Sequence, residues 1–241
     1  MALMTIAALF ISSSAFAVND DLGIYVTNDN LSKVKQIIES GEATKDELVE
    51  AEPYGPGVPI IALAGRAGSF EVAQYLIGLK ANLNAPTPVG ETALALASFF
   101  ASNLSGQNGT LSRHEKVIHA LVDAGANLES PGFYSAISYA AYTGNDDIIN
   151  YLLSKGAKVD SDAQNGQIPT NTGLMFAVRN GFTSTTILFL EHDADPRIVN
   201  YKNHDAMYFA ELYKQTQLVP YLQCALNLKP GQKYKDYCKN L

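Results

Sequence analysis

The feature that most constrains this chain is that it repeats itself. Aligned on itself, the sequence superposes Pro59-Ile60-Ile61-Ala62-Leu63-Ala64, Thr92-Ala93-Leu94-Ala95-Leu96-Ala97, Ser135-Ala136-Ile137-Ser138-Tyr139-Ala140, Thr172-Gly173-Leu174-Met175-Phe176-Ala177 and Asp205-Ala206-Met207-Tyr208-Phe209-Ala210. The starts lie 33, 43, 37 and 33 residues apart. A unit of this size cannot bury its apolar face alone, so neighbours must stack and share one continuous strip of core. That argues for one domain. Two further landmarks keep step with the motif. Nine residues after three of the starts stand Gly68, Gly144 and Gly181, and 21 residues after them stand Lys80-Ala81-Asn82, Gly156-Ala157-Lys158 and Asp193-Ala194-Asp195. Between the landmarks run Val72-Ala73-Gln74-Tyr75-Leu76-Ile77 and Ile148-Ile149-Asn150-Tyr151-Leu152-Leu153, whose apolar spacing predicts helices with one buried face.

Each motif is a variant of T-P-L-H-x-A, and the agreement at three offsets resembles the ankyrin-repeat family over nearly the whole chain. The resemblance implies an all-α fold, a solenoid of stacked helix-turn-helix units with short β-turn fingers. Repeats then open near 59, 92, 135, 172 and 205. Residues 18–57 read as a degenerate N-terminal repeat and cap, with Leu31, Val34, Ile37 and Ile38 on one helical face, and 216–241 as a C-terminal cap. Alanine at the sixth repeat position allows close approach of helices. Glycine after the second helix supplies the left-handed residue that ends it.

Residues 1–17 differ from the rest. They hold no charged side chain, carry the apolar run Ile6-Ala7-Ala8-Leu9-Phe10-Ile11, and end in Ala15-Phe16-Ala17, an A-x-A cleavage pattern. The run is too short to span a bilayer, so it reads as a secretory signal peptide, followed by a mature domain over 18–241 that is periplasmic or secreted. The only cysteines, Cys224 and Cys238, are expected to pair in an oxidising compartment and to staple the tail over the final exposed face of the stack.

The repeat opening at Thr92 carries about a dozen extra residues between its helices, with a tip over 103–110 rich in Gly, Ser and Asn that reads as an exposed loop. The finger before Thr172 is also long. Its stretch from Asp160 to Asn171 has Asn165 and Asn171 where a calcium loop requires Gly and Glu, so calcium is rejected. No nucleophile elbow, zinc-protease motif, C-x-x-C pair or phosphate loop occurs, and the four histidines are scattered. The chain is therefore read as a non-enzyme with no catalytic residues, metal, cofactor or small-molecule substrate. Seventeen Lys and Arg against 24 Asp and Glu give a net charge of -7, which argues against nucleic acid and anionic membranes; its plain reading is solubility alone, the alternative a basic partner surface.

The ankyrin resemblance implies a single protein partner, held by finger tips and by the inner face of the first helices. Carried over position by position, the residue before each motif is Val58, Glu91, Tyr134, Asn171 or His204. The eighth and ninth positions hold Arg66 and Ala67, Phe99 and Phe100, Tyr142 and Thr143, Arg179 and Asn180, Leu212 and Tyr213; the tips add Tyr54, Phe133, Tyr201 and Lys202. From these the expected contact set is Tyr54, Arg66, Glu91, Phe99, Phe100, Phe133, Tyr134, Tyr142, Arg179, Asn180, Tyr201, His204 and Tyr213. It is rich in the aromatic and Arg types that carry binding energy. Exported bacterial ankyrin proteins that this chain resembles include immunity proteins against phospholipase-like toxins of type VI secretion. Others support catalase and stress resistance, and a secreted, host-directed role is a further alternative.

Overall fold

The computed structural model describes residues 21–101, 110–129, 134–161 and 170–238. The proposed leader, the insertion tip over 103–109, Phe133 and most of the calcium-like stretch lie outside the described residues.

Helical hairpins follow one another along the chain. In order they are α1 (residues 21–27) with α2 (Leu31–Glu39), α3 (Ile60–Ala67) with α4 (Phe70–Gly78), and α5 (Ala93–Phe100) with α6 (Arg113–Asp123). Then come α7 (Ala136–Thr143) with α8 (Asp146–Ser154), α9 (Gly173–Asn180) with α10 (Thr183–Glu191), and α11 (Ala206–Leu212) with α12 (Val219–Leu226). A short α13 (Tyr234–Tyr237) closes the tail. First helices pack in sequence, α3 on α5, α5 on α7, α7 on α9 and α9 on α11, while α4 packs on α6 and α8 on α10. The fold is an ankyrin-repeat solenoid.

The motif residues explain these boundaries. Its first residue is the N-cap of each first helix: the side chains of Thr92, Ser135, Thr172 and Asp205 accept from the N–H groups of Ala95, Ser138, Met175 and Tyr208. This satisfies donors that an α-helix leaves open at its start. Pro59 holds the same place before α3, fixing φ without a side-chain cap. The sixth-position residues Ala64, Ala97, Ala140, Ala177 and Ala210 are buried at the seam between layers. Contact is closest at Gly65, where an added Cβ would fall 2.3 Å from the Ala93 carbonyl oxygen of the next layer. The turns after α3, α7 and α9 use Gly68, Gly144 and Gly181 in the left-handed region.

A second ladder ties the layers together on the far side of the fingers. The Asn82 N–H donates to Asp46, that of Asn127 to Asn84, that of Lys158 to Glu129 and that of Asp195 to Asp160, at 2.6 to 3.1 Å. The corresponding residue of the next step is Arg197. There the side chain donates instead, capping the Leu226 carbonyl at the end of α12 in the last hairpin at 2.8 Å.

The first finger is a hairpin of β1 (Leu48–Ala51) and β2 (Gly55–Pro59), antiparallel with Val49 opposite Val58 and a bulge between Val49 and Ala51. Both valines are buried, which anchors the hairpin to the core. Cys224 and Cys238 form a disulfide. The tail that they close does not lie over the final face as the sequence reading expected. It runs back along the outer side, where α13 packs on α10 and α12, Tyr234 is buried and Lys233 pairs with Asp193 at 2.6 Å. Tyr208 and Leu212 on α11 stay exposed, at 37% and 54%.

Candidate functional site: the concave face

Positions five, eight and nine of each repeat lie at i, i+3 and i+4 on a first helix, so they share one face of it. Stacking first helices side by side turns those faces into a continuous inner surface. In the middle layers that surface is a run of rings in mutual contact. Phe99 meets Phe100 at 5.0 Å and Tyr139 at 5.2 Å, both edge to face, and lies 5.8 Å from Tyr142. Tyr134 meets Tyr139 at 5.6 Å and Phe176 at 5.0 Å, and Tyr142 meets Phe176 at 5.5 Å, again edge to face. Such geometry aligns ring edges with ring faces and fixes each side chain by its neighbours. Phe176 is the buried floor, whereas Phe100 and Tyr142 stand 38% and 37% exposed.

Glu91 braces this run. One carboxylate oxygen accepts from the Tyr54 hydroxyl at 2.7 Å and the other from the Tyr139 hydroxyl at 2.5 Å, tying the hairpin finger to a helix of the third motif-bearing repeat. Burial, and then the adjacent Glu91 carboxylate, raise both phenol pKa values above their ordinary range. Both tyrosines are therefore held protonated, as donors. Arg66 lies with its guanidinium 5.8 Å from the Tyr54 ring centre and 5.1 Å from that of Phe100.

The insertion contributes beside this end of the groove. Its far side starts α6, whose His114 Nε2 lies 3.0 Å from the Arg66 carbonyl oxygen and whose ring covers Gly68. Arg113 reaches further back, to Asp29, at 3.0 Å. Asp29 also accepts from the Val72 N–H at 3.0 Å and so helps to cap α4.

A second ring cluster occupies the last layer. His204 stacks on Tyr208 at 3.6 Å, Tyr213 stacks on Phe209 at 6.2 Å, and Arg179 lies over Tyr213 at 5.4 Å. Asn180 donates to the Tyr142 carbonyl at 2.7 Å, joining the two groups of layers. Tyr201 projects from its finger tip at 62% exposure beneath the Lys202 ammonium. The structure thus gathers Tyr54, Arg66, Glu91, Phe99, Phe100, Tyr134 and Tyr142 into one cluster, and places Arg179, His204 and Tyr213 in another. Phe133 lies outside the described residues. Sequence reasoning missed Tyr139, Phe176 and Tyr208. The first two hold position five, and the i, i+3, i+4 relation to positions eight and nine could have found them.

Among the described residues, no group of His, Cys, Asp and Glu is placed to hold a metal ion, and no helix is long and apolar enough to cross a membrane. Residues 137–233 match the family model described as Ankyrin repeats (3 copies). The curated relatives include the putative palmitoyltransferase ZDHHC13 of Danio rerio, 30% identical over 118 residues, which are 48% of this chain and 17% of that protein. The human palmitoyltransferase ZDHHC13 is 33% identical over 92 residues, 37% of this chain and 14% of that protein. Palmitoyltransferase Hip14 of Drosophila melanogaster is 34% identical over 94 residues, 38% and 14% of the two chains. The chain spans less than a fifth of the length of these relatives. Repeats of this kind define a protein–protein interaction module, and nothing in so short a match carries over the transferase activity that those names describe.

Proposed function

We propose that this chain is an exported binding module that sequesters one protein partner on its concave face and fingers, in the periplasm, as an immunity protein against a secreted toxin of the phospholipase kind. The observation that carries the binding reading is the ring run from Phe100 to Phe176, whose side chains are fixed by one another and by Glu91 before any partner arrives. A surface already ordered loses little rotamer entropy on binding, and exposed aromatic rings offer large contact areas. Export is supported by the uncharged apolar leader and by the disulfide, a bond that persists in oxidising compartments. The immunity role rests on the resemblance set out from the sequence.

The test uses Phe100→Ala combined with Tyr142→Ala, because both rings are more than a third exposed. The full-length protein is captured from its own cell envelope, and the bound protein is identified. A stoichiometric partner lost at least tenfold by the double variant, with the melting temperature within a few degrees of the parent, supports the binding reading. Undiminished capture by the variant moves the site elsewhere. For the immunity role, a strain lacking the gene is challenged by toxin-delivering neighbours. Unchanged survival refutes that role, and peroxide sensitivity in its place favours the accessory alternative.

A further inference from the structure

The concave face carries two guanidinium groups that no carboxylate among the described residues pairs, although the chain as a whole is acidic. The whole sequence is acidic, at -7, and on that ground alone its partner would be basic. Within the groove the account differs. The acid at the centre of the ring run, Glu91, has both carboxylate oxygens taken by tyrosine hydroxyls. Two guanidinium groups flank the run at the same repeat position, Arg66 in the first motif-bearing layer and Arg179 in the fourth. Among the described residues neither has a carboxylate within salt-bridge distance. Each is instead laid over aromatic rings, at 5.1 and 5.8 Å for Arg66 and 5.4 Å for Arg179. The buried Nε of Arg66 has no acceptor. Glu50 and Glu52 line a cleft of about 390 Å³ together with Leu63 and Arg66, yet neither forms an ion pair with Arg66.

Resting on the reading that a protein partner occupies this face, we infer that the groove takes an acidic, ring-bearing segment of that partner. Two carboxylates would dock on Arg66 and Arg179, and an apolar or aromatic stretch between them would dock on Phe99 and Tyr142. A guanidinium placed over a ring can still direct terminal N–H donors at a carboxylate, which a guanidinium matches better than an ammonium does. The layers fix the spacing. Packed helices lie about 8–10 Å apart, so three steps span about 24–30 Å, which an extended chain crosses in about seven to nine residues. Arg66 and Arg179 are thus placed to read two acids that far apart, while the rings between them supply apolar contact.

The probe is a random 16-residue peptide library displayed on phage and selected on the purified mature protein. Parallel selections use Arg66→Gln/Arg179→Gln, the charge-retaining Arg66→Lys/Arg179→Lys, and Phe100→Ala/Tyr142→Ala, each first shown to melt as the parent does. The expected outcome is enrichment of peptides with two acids seven to nine residues apart around an aromatic, lost with the Gln pair and partly kept with the Lys pair. A synthetic peptide of that pattern should bind at least tenfold more weakly once its acids are replaced by lysine. Enrichment of basic or uncharged peptides that still depends on Phe100 and Tyr142 overturns this inference and leaves the concave binding reading intact. Acidic peptides selected equally well by the Gln pair also overturn it. Absence of any peptide dependent on the groove overturns both.

Discussion

Replacing Glu91 by alanine removes one carboxylate and strands two phenols. Tyr54 and Tyr139 are each half-buried, and each directs its hydroxyl at a separate oxygen of that carboxylate, at 2.7 and 2.5 Å. A hydrogen bond to a charged group contributes about 1.5–3 kcal/mol, and partial solvent access places these two near the lower bound, so the loss is about 3 kcal/mol. For a chain of this size that lowers the melting temperature by about 6–12 °C. Glu91→Gln keeps one good acceptor and should cost about half as much. Tyr54→Phe and Tyr139→Phe should each cost about 1–1.5 kcal/mol, and combining either with Glu91→Ala should add almost nothing, because the partner is already gone. Urea unfolding followed by far-ultraviolet circular dichroism measures all of these. A Glu91→Ala protein within about 0.5 kcal/mol of the parent, the range of ordinary surface changes, refutes the brace. The same contact has a pH signature. Both phenols have folded pKa values above the ordinary tyrosine value, so the native state keeps protons that the unfolded chain releases near pH 10. Their stabilising contribution is complete below pH 10 and falls as pH rises beyond it. Phenolate absorbance should therefore show a late-titrating class among the 13 tyrosines, reduced in Tyr139→Phe.

Three other perturbations follow from particular contacts. Gly65→Ala should destabilise by about 1–3 kcal/mol in urea melts, since its Cβ meets backbone of the adjoining layer at 2.3 Å and only a shift of α3 against α5 relieves it; an unchanged midpoint refutes that packing. Burial raises the Asp160 carboxyl to about 6, so the folded state keeps a proton that the unfolded chain loses near pH 4. Stability consequently falls as pH rises from 4 to 6, and Asp160→Asn, which keeps an acceptor for the Asp195 N–H, should gain about 1–2 kcal/mol at pH 7.5 and nothing near pH 4. Cys224→Ser with Cys238→Ser should cost about 3 kcal/mol by loop entropy, read as a lower melting temperature that reducing agent does not lower further.

How much of this was legible beforehand depends on what each residue does. The motif starts Thr92, Ser135, Thr172 and Asp205 could be read because an N-cap has few chemical solutions, and the buried alanines because contact between layers admits only small side chains. The hairpin of the first finger was not legible, since Gly55-Pro56-Gly57-Val58-Pro59 shows no alternation and holds its register through Val49 and Val58 against the core. Glu91 could be picked out by position, but its partners could not, because Tyr54 and Tyr139 lie 37 and 48 residues away on either side. The direction of the tail was misjudged for a related reason. Cysteine spacing fixes the size of the loop and not the face on which it lies, which is decided by Tyr234 and Lys233 finding α10.

The separation of roles along each repeat explains how such a groove arises on this frame. Positions one and six answer to caps and layer contact and vary within narrow limits from repeat to repeat, and position ten answers to the turn, as Gly68, Gly144 and Gly181 in three repeats. Position eight answers to none of these, and reads Arg66, Phe99, Tyr142, Arg179 and Leu212. Position five answers to two demands at once. It is Leu63 and Leu96 where the hairpin finger and the insertion-bearing repeat lie, then Tyr139, Phe176 and Phe209, where rings fill the seam with their bodies and present edges or hydroxyls to the groove. The change from leucine to rings at position five thus coincides with the ring cluster on the surface, and the reason is mechanical. A leucine at 139 would fill the core as well, but it would leave Glu91 with a single tyrosine and Phe99 without its edge-to-face neighbour at 5.2 Å. Specificity on this scaffold accordingly depends on the layer beneath the contact residues as much as on the contacts themselves.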